Sequence, residues 1–311
     1  MRDSEWSVGA DAGLRLDKFL AAPDRLGSRA RAVTALRRRK VFVNGAEAGI
    51  DAAGTRLAQD DVVRVWMDRP GTAKRRPALG ASRDLRILYE DDALLVLDKP
   101  PGLLVVPLER RGDAPSVYDA IKDHLRTHGK RRPFVVHRID RDTSGLVVFA
   151  KRADAQARLK DQFKRHEPER VYRAIVYGHP HPPAGTWRDY LVWDQDALIQ
   201  KETSARDPRA KEAISEYRVM ETFADASLVE VRLVTGRRNQ IRLQARLRGH
   251  MLVGEQRYTF GPERLRSIAF PRQALHAYRL ALRHPFDGRE MQFEAPMPHD
   301  LVALVARLRR R

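Results

Sequence analysis

The amino-acid sequence predicts an α+β protein in which a mostly antiparallel sheet forms a large domain and a small α+β module precedes it. The chain has 311 residues, which is roughly the length of two average domains. Residues 68–84 are rich in proline, glycine and charge and show no apolar periodicity, as is typical of a linker. After this stretch, short apolar runs of strand length alternate with glycine and proline turns. We therefore expect a module at 1–67, a linker at 68–84 and a sheet-rich domain at 85–311.

The predicted module contains two helices and two strands. An amphipathic stretch begins at Arg15, and a second helix begins at Ser28. Strands are predicted at 41–45 and 61–66, and the Asn-Gly pair that ends the first of them is typical of a hairpin turn. These elements indicate a compact α+β unit.

Basic residues crowd the second helix of the module and the segment after it. Six cations share this region: Arg29, Arg31, Arg37, Arg38, Arg39 and Lys40. So dense a cluster predicts a surface that binds phosphate groups. The alternative is a solvated face whose charges complement the negative end of the helix dipole.

In the large domain, strand-like runs lie within 87–102, 134–151, 170–178 and 227–236. Helical periodicity is brief by comparison. One helix is predicted at 154–166, and another closes the chain behind Asp300, which we expect to act as its N-cap. The domain is therefore expected to be α+β with a mostly antiparallel sheet.

The net charge predicts a polyanionic partner. Lys and Arg number 59 against 41 Asp and Glu, which leaves a formal charge of +18. The alternative is an arginine-rich composition without functional meaning. The position of the charges has to distinguish between these two explanations.

Cysteine is absent, which excludes disulfides, thiolate zinc sites and cysteine nucleophiles.

Sequence signals for cofactors, metals and membranes are also missing. Neither a phosphate-binding loop nor a dinucleotide-binding glycine motif occurs, and the two closely spaced histidine pairs, at 124/128 and 179/181, lack the context of a metal site. The first residues form no apolar stretch, so we expect neither a secretory signal nor a lipid anchor. We expect a cytoplasmic protein without a cofactor, a metal or a membrane partner.

Residues 135–151 combine two apolar strands with a polar loop that contains Asp140. A loop between two strands is a common place for a functional site. Asp140 could be a carboxylate nucleophile or base that neighbouring cations keep ionised. The structural alternative is that its side chain accepts hydrogen bonds from the amides of 143–145 and closes a turn in which Gly145 takes a positive φ.

The segment 137–146, which reads HRIDRDTSGL, resembles the signature of the RluA-type pseudouridine synthases. Further motifs of that family follow in the same order. They stand at 98–102 (DKPPG, the early KPxG turn), 170–174 (RVYRA, the tyrosine strand), 235–242 (TGRRNQIR, the arginine strand), 275–277 (LHA) and 295–296 (AP). The resemblance covers about 85–298, and residues 15–45 are similar to the αL RNA-binding module of a small-subunit ribosomal protein.

The resemblance implies an isomerase that converts uridine in RNA to pseudouridine without a cofactor. Asp140 would be the catalytic carboxylate, and Arg242 would pair with it and keep it ionised. Tyr172 would stack on the base or manage a proton at carbon 5, unless it is an ordinary core residue. The target base must leave the stack, and Arg138 would extrude it or fill its place, unless it merely contacts phosphate.

Two chemical routes stay open under this resemblance: attack of the carboxylate on the uracil ring, and deprotonation of the sugar to a glycal. The expected substrate is ribosomal RNA, with transfer RNA as the second candidate, and the expected state is a monomer.

Two histidines and one aspartate of the usual family pattern are replaced in this sequence. Asn239 and Gln244 stand where TGRTHQIRVH has histidines, and Glu255 stands where the family has the aspartate of a GD turn. Because the three catalytic candidates are retained, we expect these departures to alter RNA recognition or packing and to leave catalysis intact.

Two other functions are considered. One is a catalytically inactive RNA-binding or ribosome-assembly factor with the same fold, which would leave Asp140 idle. The other is a glycoside hydrolase using Asp140 and Asp142, which is disfavoured because carboxylates two residues apart on a turn do not face each other across a sugar.

Overall fold

The chain forms two units, Met1–Ala78 and Leu79–Arg311, in a computed structural model. The structure describes residues 4–37, 40–66, 85–107, 116–127, 132–195, 197, 199–259 and 267–310. Among these described residues, no helix has both the length and the apolar character needed to cross a bilayer.

The first unit places two helices against a small antiparallel sheet. Its elements are β1 (Ser4–Ser7), α1 (Leu16–Leu20), α2 (Arg29–Arg37), β2 (Val41–Val43), β3 (Ala46–Ala48), a short 3-10 helix (Ile50–Gly54) and β4 (Val62–Val65). The strand order is β1-β4-β2-β3, so both predicted strands are present and two more join them. Phe19, Leu36 and Val63 are fully buried between helices and sheet.

The hairpin between β2 and β3 turns at the predicted Asn-Gly pair. Asn44 and Gly45 have φ values of 51° and 79°, which a two-residue hairpin turn of this type requires and which these two residue types tolerate best. The Asn44 side chain also accepts a hydrogen bond from the backbone N–H of Val62 at 2.8 Å and so ties the turn to β4.

The second unit is built on one large sheet. Its strands are β5 (Arg86–Glu90), β6 (Leu94–Lys99), β7 (Phe134–Val135), β8 (Ser144–Ala150), β9 (Glu169–Tyr177), β10 (Ala184–Asp194), β11 (Ile199–Glu202), β12 (Lys211–Thr222), β13 (Ala226–Leu233), β14 (Leu275–Arg283) and β15 (Glu290–Glu294). Its helices are α3 (Val117–Thr127), α4 (Ala153–Lys164), α5 (Gln240–Leu247) and α6 (His299–Leu308).

The strands follow the order β11-β10-β12-β13-β9-β14-β8-β6-β5, with β15 beside β14 and β7 beside β8. Among the described strands, β8 and β14 are the one parallel pair, and they meet at only two positions, His276 opposite Ser144 and Ala277 opposite Gly145. The prediction of an α+β domain with a mostly antiparallel sheet is therefore confirmed.

Hydrophobic side chains cover both faces of the sheet at β8. Val147 and Phe149 pack on the face that α3 and α5 cover, whereas Leu146 and Val148 pack on the face that α4 covers. The alternation follows from the two-residue period of a strand. Burying each of these side chains stabilises the fold by about 1.5–3 kcal/mol, so the strand that leads away from Asp140 is firmly held.

Two local expectations were wrong. The segment that contains Arg242 is a helix, α5, and not a strand: Asn239 has a left-handed backbone with φ of 52° and ends the extended chain, and Ile241 and Ala245 are then buried one helical turn apart. Asp300 does not cap α6, whose N-cap is Pro298. Its carboxylate lies within the first turn and accepts a hydrogen bond from Arg272 Nε at 2.7 Å.

Candidate active site

The loop between β7 and β8 carries Asp140. The backbone N–H of Thr143 donates to the main-chain carbonyl oxygen of Asp140 at 3.2 Å, which closes a turn. The carboxylate of Asp140 instead accepts from Asn239 and Arg242, so the structural alternative, in which it accepts the amides of 143–145, does not hold. Gly145, at the start of β8, has the expected positive φ, at 107°.

One oxygen of the Asp140 carboxylate is held from two sides. Arg242 Nη1 donates to Oδ2 at 2.9 Å, and Asn239 Nδ2 donates to the same oxygen at 2.6 Å. None of the residues that the structure describes donates to Oδ1. Because 27% of the Asp140 side chain is exposed, the free oxygen is accessible to a ligand while the other one fixes the orientation.

Arg242 is shared between Asp140 and a second carboxylate. Its Nε and Nη2 atoms donate to the two oxygens of Glu255 at 2.7 and 2.6 Å. Burial would raise the pKa of Glu255, whose side chain has no exposed surface, but the bonds and the charge of Arg242 outweigh burial and lower that pKa. Glu255 therefore stays ionised and fixes the arginine that holds Asp140.

Asn239 is oriented by a short chain of hydrogen bonds. The backbone N–H of Gln200 donates to the Tyr258 hydroxyl at 3.1 Å, and that hydroxyl donates to Asn239 Oδ1 at 3.2 Å. With its oxygen engaged in this way, the amide turns its nitrogen toward Asp140. Sequence reasoning marked Asn239 only as a departure from the family pattern, and that departure was the available signal of a site residue.

The three departures have different environments. Asn239 and Glu255 both contact the Asp140–Arg242 pair, whereas Gln244 lies away from it. Gln244 is completely buried, accepts a bond from Ser215 Oγ at 2.7 Å and donates to Asp189 Oδ2 at 2.7 Å. Its replacement of a histidine is thus a matter of packing between α5 and the sheet.

A cavity of about 610 Å³ opens beside Asp140, and Tyr172 forms part of its wall. Tyr172 lies in β9, between Val231 of β13 and Ala277 of β14, and is 8% exposed. Burial raises the pKa of Tyr172 to about 12. At neutral pH the phenol is therefore protonated, and the ring can face a ligand as an uncharged surface.

Arg170 lies two residues before Tyr172 on β9 and also lines this cavity. It is 8% exposed, and its Nη2 makes two long bonds, of 3.3 Å to the carbonyl oxygen of Val234 and 3.5 Å to that of Leu233. Among the described residues, no carboxylate pairs with it and its Nε finds no acceptor. Sequence reasoning missed Arg170, although the two-residue period of the strand places it on the same face as Tyr172.

Lys99 connects the early KPPG turn to the loop of Asp140. It is fully buried, and its ammonium group donates to three backbone carbonyl oxygens, those of Pro100, Leu103 and Arg141, at 2.8, 2.9 and 2.8 Å. Burial lowers the pKa of Lys99 to about 7. The lysine thus holds the backbone immediately after Asp140 in place.

Two arginines stand at the rim of the cavity. Arg138 is exposed and lines the cavity. Arg238 also lines it, and its guanidinium lies 4.0 Å from the ring centre of Trp193, a distance at which a cation and an aromatic face attract each other. Asp142, by contrast, pairs with the neighbouring Arg141 at 3.1 Å.

The basic residues predicted in the first unit have unequal surroundings. Arg31 and Arg37 are exposed, whereas Lys40 is only 8% exposed. Arg29 donates to the buried carboxylate of Asp17 at 2.9 Å, although 66% of its own side chain remains exposed. Arg38 and Arg39 lie outside the described residues.

The close approach of β14 to Gly145 makes a strong prediction for stability. A Cβ atom at Gly145 would lie 2.2 Å from the carbonyl oxygen of Ala277, in addition to the strain of its positive φ. We expect Gly145→Ala to lower the free energy of unfolding by at least about 3 kcal/mol. Thermal unfolding measures this change.

Gly288→Ala is the matched control, because Gly288 also has a positive φ, 71°, but no atom lies within 4 Å of its Cβ position. Its expected cost is only about 1 kcal/mol. Equal costs for the two variants would contradict a steric role of the β8–β14 contact.

Comparisons with known proteins show the family to which the chain is similar. Residues 93–247 match the family model described as RNA pseudouridylate synthase. A ribosomal large subunit pseudouridine synthase D from Zymomonas mobilis is 40% identical over 244 residues, which are 74% of this chain and 75% of that protein. The RNA pseudouridine synthase YlyB of Bacillus subtilis is 35% identical over 95% of this chain and 94% of its own length.

Solved structures show the same fold. Human RNA pseudouridylate synthase domain containing 4 superposes with a TM-score of 0.61 at 22% identity, over 74% of this chain and 95% of that one. Human RNA pseudouridylate synthase domain containing 1 gives a TM-score of 0.58, also at 22% identity, over 72% and 89%.

The mostly antiparallel sheet presents an arginine-bound carboxylate in a basic cavity, and the matching family is one of enzymes that modify RNA bases. The chain belongs to the RNA pseudouridylate synthase family. It is accordingly an isomerase that converts uridine in RNA to pseudouridine, and the inactive RNA-binding alternative is not favoured.

Proposed function

We propose that this protein isomerises specific uridines of structured ribosomal RNA, with Asp140 as its catalytic carboxylate. The observation that carries the proposal is the Asp140 carboxylate, bound by Arg242 at 2.9 Å and open to a cavity of about 610 Å³. Ribosomal RNA is favoured because several relatives are named ribosomal large subunit pseudouridine synthase D. Transfer RNA is the second candidate, and we place the enzyme in the cytoplasm as a monomer.

In the proposed reaction the target uridine leaves its stack and enters the cavity, at a cost of a few kcal/mol. The free Oδ1 of Asp140 then attacks the uracil ring or removes a proton from the sugar. Either route breaks the bond between N1 and the ribose. The freed uracil rotates and binds the ribose through carbon 5, and the hydrogen on carbon 5 leaves as a proton. On the first route the bond between Oδ1 and the ring then breaks, and on the second the sugar regains a proton from Asp140, so that either route restores the carboxylate.

The other residues of the cavity have distinct proposed roles. Arg242 and Asn239 keep Asp140 ionised and oriented, and Tyr172 offers its uncharged ring to the base, a stacking contact of about 1–3 kcal/mol. Arg138 extrudes the base or fills the space that it leaves. Arg170 donates to a carbonyl oxygen of uracil, because a buried cation without a counterion stabilises the negative charge that uracil carries once N1 has left the ribose.

The isomerisation is tested by following the hydrogen on carbon 5. RNA that carries tritium at carbon 5, prepared from a strain that lacks this gene, should release tritium to water when the purified protein is added alone. The RNA chain should stay intact, and the mass of unlabelled RNA should stay constant.

Asp142→Asn is a matched control for this assay, since Asp142 is the neighbouring carboxylate but pairs with Arg141 at the surface. It should release tritium at the parental rate. Free uracil in place of pseudouridine would identify a hydrolase. RNA binding without any tritium release would restore the assembly-factor hypothesis.

We also propose that the N-terminal module, residues 1–67, binds RNA phosphates through Arg31 and Arg37, which are exposed on α2. In the full-length protein, changing both to alanine should weaken RNA binding and flatten its dependence on salt. The expected change in the slope of log K against log salt is about 1.4, from about 0.7 for each phosphate contact.

The double variant Arg206→Ala, Arg209→Ala controls for net charge, because both residues are exposed in the second unit. Its slope should remain nearer to that of the parent. An identical loss in both double variants would mean that overall charge, and not α2, attracts the RNA.

A further inference from the structure

A second cavity, of about 570 Å³, lies next to the candidate active site. The two cavities share one wall, residues 136–138, which ends in the exposed Arg138. The other residues that line the second cavity come from the start of α3, the approach to β7 and one face of α4: Tyr118, Arg132, Pro133, Phe134, Val135, Gln156 and Lys160. The reaction proposed above uses none of these residues.

The second cavity is positively charged. Arg132, Arg138 and Lys160 line it, and none of its described lining residues is acidic. The Arg132 guanidinium lies 4.8 Å from the ring centre of Phe134, which supports it at the mouth. A cavity with three cations and no carboxylate favours an anionic ligand.

Helix α4 runs beside both cavities. Lys160 lines the second cavity, and Lys164, one helical turn later, lines the active-site cavity. Both lysines are exposed. Their spacing of four residues puts the two ammonium groups on the same side of the helix. Positive charge therefore lies beside both cavities, where it would attract the phosphates of one continuous strand.

At His137 the shared wall is uncharged and well fixed. His137 Nε2 accepts a hydrogen bond from the backbone N–H of Val148 at 3.1 Å, and the ring stacks on Phe163 at 4.8 Å between centres. Burial, with a smaller effect of Arg170, lowers the pKa of His137, so the ring carries no charge. Gln156 Nε2 donates to the carbonyl oxygen of Val135 at 2.7 Å and ties the wall to α4.

We infer that the second cavity binds the nucleotide next to the target uridine in the same RNA strand, with Arg132 and Lys160 on its phosphate and Tyr118 against its base. This inference rests on the proposed function. A uridine that is flipped into one cavity remains bonded to its neighbours, which must be accommodated directly beside it. A basic cavity with an aromatic wall is suited to any nucleotide, because every base has a face that can stack.

The phosphate contacts are tested with fluorescently labelled hexauridylate and the full-length protein. Arg132→Ala and Lys160→Ala should each weaken binding about fivefold at low salt and reduce the salt slope by about 0.7. Lys122→Ala is the matched control, an exposed lysine of α3 that lines neither cavity, and it should bind like the parent. Parental affinity and slope in both cavity variants would overturn the inference.

The base contact is tested by comparing hexauridylate with an abasic hexamer that has the same phosphates. In the parent the bases should contribute to affinity, and Tyr118→Leu should reduce this contribution about tenfold. Tyr118→Phe retains the ring and should restore it, which separates stacking from a change in folding. An unchanged contribution of the bases in Tyr118→Leu would remove Tyr118 from the site.

Failure of this inference and failure of the proposed function give different results. If the parent releases tritium from carbon 5 but the Arg132 and Lys160 variants keep the parental KM and affinity, only the inference fails. If the parent releases no tritium but these variants lose affinity for hexauridylate, the second cavity binds RNA and the proposed reaction is wrong.

Discussion

Asp140→Asn should abolish the conversion of uridine to pseudouridine and leave RNA affinity within about threefold of the parent. The substitution changes one oxygen to nitrogen, so the side chain keeps its shape and its oxygen can still accept from Asn239 or Arg242, which now contact Oδ2. The amide has neither the charge nor the basicity of the carboxylate. Turnover should therefore fall by at least about 10⁴-fold, which tritium release measures directly.

Folding must be retained for this result to be meaningful, and the structure indicates that it is. Arg242 keeps its two bonds to Glu255 in the variant, so no buried charge loses its main partner. The melting temperature should stay within a few degrees of the parent. If Asp140→Asn retained a tenth of the parental turnover, Asp140 would not be the catalytic carboxylate.

Arg242→Met should have the second largest effect, because it affects catalysis and folding together. Asp140 loses its charged partner, and Glu255, with no exposed surface, is left as an unpaired buried charge. Leaving such a charge costs about 3–5 kcal/mol. We expect loss of turnover together with a marked fall in the melting temperature at neutral pH.

The double variant Arg242→Met, Glu255→Gln separates the two effects. It removes both charges of the buried pair, so most of the lost stability should return. Turnover should not return, since Asp140 still lacks the arginine. Recovery of activity in the double variant would show that Arg242 serves only the fold.

The stability of the single variant should depend on pH in the opposite sense to that of the parent. In the parent, Arg242 outweighs burial and lowers the pKa of Glu255, so the carboxylate stabilises the fold above its unfolded pKa, and this contribution is lost as pH falls through the folded value. In Arg242→Met burial, the largest influence, raises that pKa, and only the backbone N–H groups of Arg257 and Tyr258 still oppose it. The deficit should then be greatest at neutral pH and should shrink in acid, as protonation removes the buried charge.

Regular elements of the fold could be predicted where one local pattern determined them. Alternating apolar residues identified the strand that contains Tyr172, and the Asn44-Gly45 pair identified the turn between β2 and β3 of the first unit. The arginine segment was assigned to a strand because its motif continues directly from one. Its change to a helix depends on the left-handed backbone of Asn239 and on burial of Ile241, which tertiary packing determines.

Only those residues of the candidate site that stand in sequence motifs could be predicted. Asp140, Tyr172 and Arg242 stand in separate motifs, and the structure brings all three together around one cavity. Glu255 lies 13 positions after Arg242 in the sequence, and the partner of a charge over such a distance has no signal in a single sequence. The exposed cations of α2 and the buried Lys40 likewise looked alike in the sequence, because charge clusters do not reveal burial.

The two hydrogen bonds to Oδ2 make the two oxygens of the Asp140 carboxylate distinct, whereas the oxygens of a free carboxylate are equivalent. In solution, rotation about the Cβ–Cγ bond exchanges the two oxygens, but here Nη1 of Arg242 and Nδ2 of Asn239 prevent that exchange. The group therefore approaches its substrate from one side and with one atom. If the reaction passes through an ester of Asp140 that water then opens at the carboxyl carbon, heavy oxygen from the solvent would enter at Oδ1 alone, and the anchored atom would remain unexchanged through every turnover.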